Sequence, residues 1–305
     1  MTKTIIWILI VIGGLDLASP SICAVPDFDA NRAFQDLVTQ CDFGPRKPGS
    51  DAHRACLDWL TESLRPLAVD VEQQHFSYIF RTTKDTLHLV NIIARFKPDH
   101  RERIVIGAHW DTRPTADLDP NPSYRKEPIL GANDGASGVA VLLELARLFS
   151  QYPPPAGVDL VLFDGEDSGH SGELDDWCLG SRYYAMNLSG ELPRWGIVLD
   201  MIGEKEAVYS MEANSLDLAP QLVRTLWSLA DDLKLFCFDP NPGPAVWDDH
   251  VMLNKYGIPS VDIIDFDYPY WHTLGDTPDK CSSESLEHVG TLLVNWIYQG
   301  AQVQP

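Results

Sequence analysis

Residues 104–111, IVIGAHWD, and residues 131–146, GANDGASGVAVLLELA, decide how this chain folds. The first is an apolar run of strand length that stops at His109 and Asp111. The second is a Gly-containing turn that carries Asp134 and leads into a segment apolar almost all round. A short apolar run reads as a strand covered on both faces, and a longer one opened by turn residues reads as a buried helix. A strand, a loop and a buried helix in that order are the unit from which parallel sheets are built.

Working outward, similar apolar runs occur at 87–96, 158–163, 196–202, 207–212 and 260–266, and they predict further strands. Segments with helical period lie near 28–40, 50–64, 136–150, 217–233, 249–256 and 285–299. The alternation predicts a three-layer α/β/α fold with a central mixed, mostly parallel sheet. No internal repeat or low-complexity linker interrupts it, and Pro153-Pro154-Pro155 reads as a local helix stop. Residues 25–305 are therefore expected to form a single domain.

The 305 residues carry 23 Lys+Arg against 44 Asp+Glu, a net charge of −21. That balance excludes a phosphate-backbone binder, which needs clustered cations, and adhesion to an anionic membrane surface. Ile5 to Leu15 form an apolar run too short to span a bilayer, followed by a small-residue stretch ending at Ala24. Residues 1–24 thus read as a signal peptide, and the protein as secreted or periplasmic, with no membrane attachment after cleavage. Of six cysteines, Cys23 leaves with the signal, and Cys41 and Cys56 flank a Gly/Pro-rich segment. Export permits a disulfide, and Cys41–Cys56 is the expected pair.

In open α/β sheets, ligands bind beyond the carboxyl ends of the strands. His109 and Asp111 follow one run, Asp134 opens the buried helix, Glu166 and Asp167 follow the run at 158–163, Asp200 lies in the next, and His272 follows the last. Singly, an Asp at such a place caps a helix and a His packs or faces solvent. Together, two His, three carboxylate ligands from among these Asp and one spare Glu at successive strand ends form the ligand set of a carboxylate-bridged dizinc centre.

The motifs GAHWDTRP, ILGANDGASGVAVLLELAR, LFDGED, CLGSRYYA, VLDMIG, DDHVML, GIPSVDII and YWHTLGDTPD resemble the zinc aminopeptidase-like metallopeptidases. Within that family they are most similar to the glutaminyl cyclases, particularly the bacterial branch, and the likeness runs from about Phe43 to Glu287. The resemblance implies zinc, one ion per chain with a second permitted, held by Asp134, Asp167 and His272. It makes Glu166 the general acid/base, with Asp200 and Asp248 beside it, and His109 and Asp200 the ligands of a second metal. Trp271 matches the aromatic wall of a glutamine pocket, with Tyr268 or Tyr270 expected to help hold the substrate; Trp247 and Trp177 are secondary candidates whose alternative is a structural role. The implied substrates are peptides or proteins with an N-terminal Gln, closed to pyroglutamate with loss of ammonia.

Two departures stand out. Asp167 occupies a position where animal cyclases carry Glu, and Asp262 one where they carry His. Two rivals remain at this stage: a dizinc aminopeptidase, and a binding module that keeps the fold without catalysis. A module without chemistry has no physical reason to keep like-charged carboxylates together in a buried site.

Overall fold

The apolar runs form the inner strands of one sheet. The computed structural model describes residues 25–170 and 172–303, and the expected signal segment lies outside them. In chain order the strands are β1 (Asp70–Ile79), β2 (Thr86–Phe96), β3 (Arg103–His109), β4 (Gly157–Phe163), β5 (Trp195–Asp200), β6 (Tyr209–Met211), β7 (Phe238–Pro242) and β8 (Ser260–Ile264). The helices are α1 (Ala30–Asp42), α2 (Asp51–Leu64), α3 (Ala136–Gln151), α4 (Leu179–Met186), α5 (Ala213–Leu218), α6 (Pro220–Asp232), α7 (Asp249–Lys255) and α8 (Ser283–Tyr298).

Six strands pair in the order β1-β2-β4-β3-β5-β8. β4, β3, β5 and β8 run parallel, while β2 joins β4, and β1 joins β2, antiparallel. This is the expected mixed, mostly parallel sheet. Its strands alternate with period two. Ile104, Ile106, Leu160, Leu162, Ile197 and Leu199 enter the main core with α1, α3 and α8. Val105, Val161, Phe163 and Val198 face the other way, onto Tyr184 of α4 and Leu253 of α7. The sheet is thus covered on both faces, giving three layers.

The buried helix α3 approaches the sheet so closely that a Cβ on Gly138 would lie 2.3 Å from the Leu199 carbonyl oxygen. Only Gly permits that contact, and it holds the loop before α3 against the end of β5.

The differences from expectation have local causes. The segment at 207–212 narrows to β6, which pairs with β7 in a separate two-stranded sheet. The helix expected over 217–233 is divided at Pro220, which opens α6 at its first turn because it has no N–H to donate. The expected Cys41–Cys56 bridge is not formed: the five described cysteines are free thiols. Both side chains sit in the main core as small apolar groups. Burial pushes their thiols up, Cys41 to about 11 and Cys56 to about 12, so both stay protonated.

Candidate active site

Each strand end is fixed by its neighbour. The Asp111 carboxylate, just past β3, accepts the backbone N–H groups of Glu166 (3.1 Å) and Asp167 (3.4 Å), just past β4. The turn before α3 is held from two sides. Arg46, fully buried, donates to the carbonyls of Trp110, Leu130 and Gly131 at 3.1, 2.9 and 2.7 Å. Asp276 accepts the N–H groups of Asn133 (2.8 Å) and Asp134 (3.1 Å). Gly135, at φ +99°, turns the chain where a Cβ would lie 2.9 Å from the Asp111 carbonyl oxygen.

These devices converge Asp134, Asp167 and His272 within ligand-sharing distance, and likewise His109, Asp134 and Asp200. His272 Nε2 lies 3.3 Å from Asp167 Oδ1 and 3.9 Å from Asp134 Oδ2. His109 Nε2 lies 3.1 Å from both Asp134 Oδ1 and Asp200 Oδ1. Asp134 is therefore common to the two triplets. His272 has φ 55°, a conformation rare for a non-Gly residue, and this turns its imidazole toward the carboxylates.

The residues fit a cation. Asp134 Oδ2 and Asp167 Oδ2 are buried and have no hydrogen-bond partner, and leaving buried polar atoms unpaired is costly. Desolvation opposes protonation of both imidazoles, yet the carboxylates around them outweigh it. Asp111, Asp134 and Asp200 push His109 well up, and Asp167 with Asp134 pushes His272 up. A site that raises the proton affinity of imidazoles in this way favours any positive charge. His and carboxylate donors are those that zinc takes.

Glu166 lies beside this centre and faces a second acidic group. Cys178 Sγ donates to Glu166 Oε1 at 3.5 Å, and Asp248 lies within the same cluster. Desolvation first, then the charges of Asp167, Asp248 and Asp249, push the Glu166 carboxyl well above the usual range. Desolvation and Asp200 raise Asp248 to about 6. Asp248 also caps α7, its carboxylate accepting the Asp249 N–H. Asp262 is fully buried, and an imidazole stands beside it: His250 Nδ1 lies 3.5 Å from Asp262 Oδ2 while His250 Nε2 pairs with Glu212 at 3.1 Å.

An open cavity of about 380 Å³ lies over His272. Trp177, Trp247, Trp271, Phe266 and Leu174 line it. The Trp177 ring lies parallel to His272 with centroids 6.2 Å apart, and Trp271 leans on Phe266 at 4.9 Å. Tyr268 and Tyr270 do not line it. The Tyr268 hydroxyl is 2.8 Å from Asp276 Oδ1, so this ring braces the Asp134 turn, and Tyr270 packs edge-on against Tyr268.

Arg113 is a residue that sequence reading missed. Its Nη1 donates to Asp167 Oδ1 (3.1 Å) and to the Asp167 carbonyl (3.2 Å), and its Nε and Nη2 grip Asp117 at 2.7 and 2.9 Å. Its guanidinium carbon lies 4.5 Å over the Trp177 ring. Asp117 in turn lies 3.5 Å from His272 Nδ1. One side chain thereby ties a carboxylate of the triplet, the carboxylate behind its imidazole, and a pocket wall. The motif HWDTRP was its only sequence signal.

Comparisons with known proteins give the chain its relatives. The profile of peptidase family M28 matches residues 91–297. The chain is similar to the crystal structure of a Bacteroides thetaiotaomicron glutaminyl cyclase bound to N-acetylhistamine, at 38% identity over 90% of this chain and 99% of that one, with a TM-score of 0.87. It is equally similar, at 38% identity over 90% and 98% and a TM-score of 0.87, to a protein from the same organism described as a leucine aminopeptidase precursor. A Drosophila melanogaster glutaminyl-peptide cyclotransferase is 26% identical over 82% of this chain and 75% of its own length.

Proposed function

The chain belongs to peptidase family M28, and from that premise we propose that it is a zinc-dependent glutaminyl-peptide cyclotransferase. The observation that carries the reading is a carboxylate–imidazole triplet whose His272 lines a pocket walled by three indoles, with the buried Glu166 next in sequence to the triplet's Asp167. Asp134, Asp167 and His272 are the ligands in this reading, with one ion per chain. Zinc held there supplies a Lewis acid for the γ-carbonyl of an N-terminal Gln, typically worth several kcal/mol.

The reaction is intramolecular: the α-amine attacks the γ-carboxamide carbon, and the bond to the amide nitrogen breaks to release ammonia. What the protein must add is orientation and proton transfer. Glu166 takes the proton from the attacking amine and returns it to the leaving nitrogen, a role typically worth 10²–10⁴-fold. Burial and the charges of Asp167, Asp248 and Asp249 keep the Glu166 proton affinity high, and Asp200 acts on Asp248. Trp271, Trp247 and Trp177 hold the small side chain and keep water from competing. Substrates are peptides or proteins with a free N-terminal Gln. We read residues 1–24 as an export signal, residues 25–305 as the catalytic domain and the protein as secreted or periplasmic; no described helix is long and apolar enough to cross a membrane.

A second reading, an aminopeptidase with two zinc ions, has one observation in its favour: the His109–Asp134–Asp200 triplet shares Asp134 with the first. The deciding test of the proposal is ammonia release from a Gln-initiated peptide. We expect turnover that a chelator abolishes and zinc restores, and chelator-resistant turnover or none at all would reject it.

A further inference from the structure

Beside the indole-lined pocket lies a second cavity of about 430 Å³, and the two share Val246 and Phe266 as lining residues. Their chemistry is unlike. The pocket over His272 is aromatic, whereas the second cavity is lined by Glu212, Asp265 and Asp267 and by no Lys, Arg or His.

The three carboxylates are held differently. Glu212 is occupied by the N–H groups of Asn214, Ser215 and Val246 and by His250. Asp265, itself buried, accepts the N–H groups of Val208 (3.2 Å) and Asp267 (3.3 Å). Asp267 is exposed and makes no ion pair with any described residue. Glu212 is thus answered by His250 and Asp265 is engaged with Glu204 as well as with backbone N–H groups, so Asp267, exposed, is the carboxylate left to meet a ligand.

We propose that this cavity receives the side chain of one of the two residues that follow the substrate's N-terminal Gln, and that it selects Lys or Arg there. This rests on the proposed cyclase reading. With the first residue under Trp271, the peptide leaves across Phe266 and Val246. An extended residue advances the chain by about 3.3–3.6 Å, so the next one or two side chains pass over the adjoining cavity. A Lys or Arg lays its methylene stem along Phe266 and sets its charge beside Asp267.

The test is kcat/KM of the zinc-loaded enzyme for Gln-Ala-Ala, Gln-Lys-Ala, Gln-Ala-Lys and Gln-Glu-Ala amides. A partly solvated ion pair is worth up to about fivefold, so one of the Lys peptides should exceed Gln-Ala-Ala by about that factor and Gln-Glu-Ala should fall below it. Asp267→Asn should bring the Lys-to-Ala ratio close to one, and Asp267→Lys should invert it. Glu62→Gln is the control for the field of the whole molecule, since Glu62 is exposed on α2, which packs on β1 at the opposite edge of the sheet from β8. It should leave the ratio unchanged. A wild-type ratio near one overturns the proposal, as does an equal drop in Asp267→Asn and Glu62→Gln, which would assign the preference to the net charge. Failure to cyclise any of the four peptides would instead remove the cyclase reading itself.

Discussion

Asp134 belongs to two triplets, and the two are built differently. Toward the indole pocket, His272 stands 3.9 Å from Asp134 Oδ2, and that oxygen and Asp167 Oδ2 have no partner. Toward β5, His109 Nε2 already lies 3.1 Å from Asp134 and 3.1 Å from Asp200, so one imidazole N–H answers both carboxylates. The first arrangement leaves two buried carboxylate oxygens without a hydrogen-bond partner, although Arg113 and His272 face Asp167 Oδ1, and its His272 lines a substrate-sized pocket. In the second, the His109 imidazole already bridges the two carboxylates. In the proposed reading the first triplet is the one that holds the ion, and kinship alone does not separate a cyclase from an exopeptidase.

The largest effect is expected where the ion itself depends on a residue. His272→Gln should lose tightly held zinc and all turnover, whereas His109→Gln should keep one zinc per chain, measured by metal analysis after dialysis. Two ions in the parent, with one lost in His109→Gln, would break the distinction between the triplets. Next, Glu166→Gln should retain zinc and lose about 10²–10⁴-fold in kcat, as read from ammonia release; near-parental turnover would reassign the proton carrier. Arg113→Met should lower zinc affinity by about 10–100-fold in competition with a chelator, the usual cost of losing a group that orients a ligand, and Arg113→Lys should restore part of it. An unchanged affinity would leave Arg113 a brace of Trp177 alone.

The smallest effect is expected away from the ion. Burial raises the Glu212 carboxyl, but the His250 pair and the hydrogen bonds from Ser215 and Val246 outweigh it and hold it at about 2, against an ordinary 4.5. Because the folded value is depressed, its stabilisation is present above about pH 4.5 and is lost as pH falls toward 2. The amount is on the order of 3 kcal/mol. Urea midpoints should therefore drop less steeply between pH 5 and 2 in Glu212→Gln than in the parent. Parallel curves would show that Glu212 titrates normally.

The fold was legible where local pattern and tertiary demand coincide. Runs such as IVIGA and VDLVLF are apolar because both their faces are buried, and the helix after Asp134 is apolar all round for the same reason. β1 went unread because its sequence, DVEQQHFSYI, pairs along one edge only and is half exposed. α4 is too short for its period to stand out. At the site, His109, Asp134, Glu166, Asp167, Asp200 and His272 were readable because each follows or ends a strand, or opens a helix. Arg113 and Arg46 were not, since an Arg in sequence reads as a surface charge, and only the folded chain reveals the carbonyls and carboxylates it meets. The tyrosines at 268 and 270 do not line the cavity over His272, because neighbours of a ligand in sequence need not share its cavity.

The most direct measurement gives the zinc-loaded enzyme one peptide with a free N-terminal Gln and identifies the products by mass. The account predicts a pyroglutamyl peptide of unchanged residue count, with one ammonia released for each. Free glutamine and a peptide shortened by one residue would mean hydrolysis at the first peptide bond, and would contradict it.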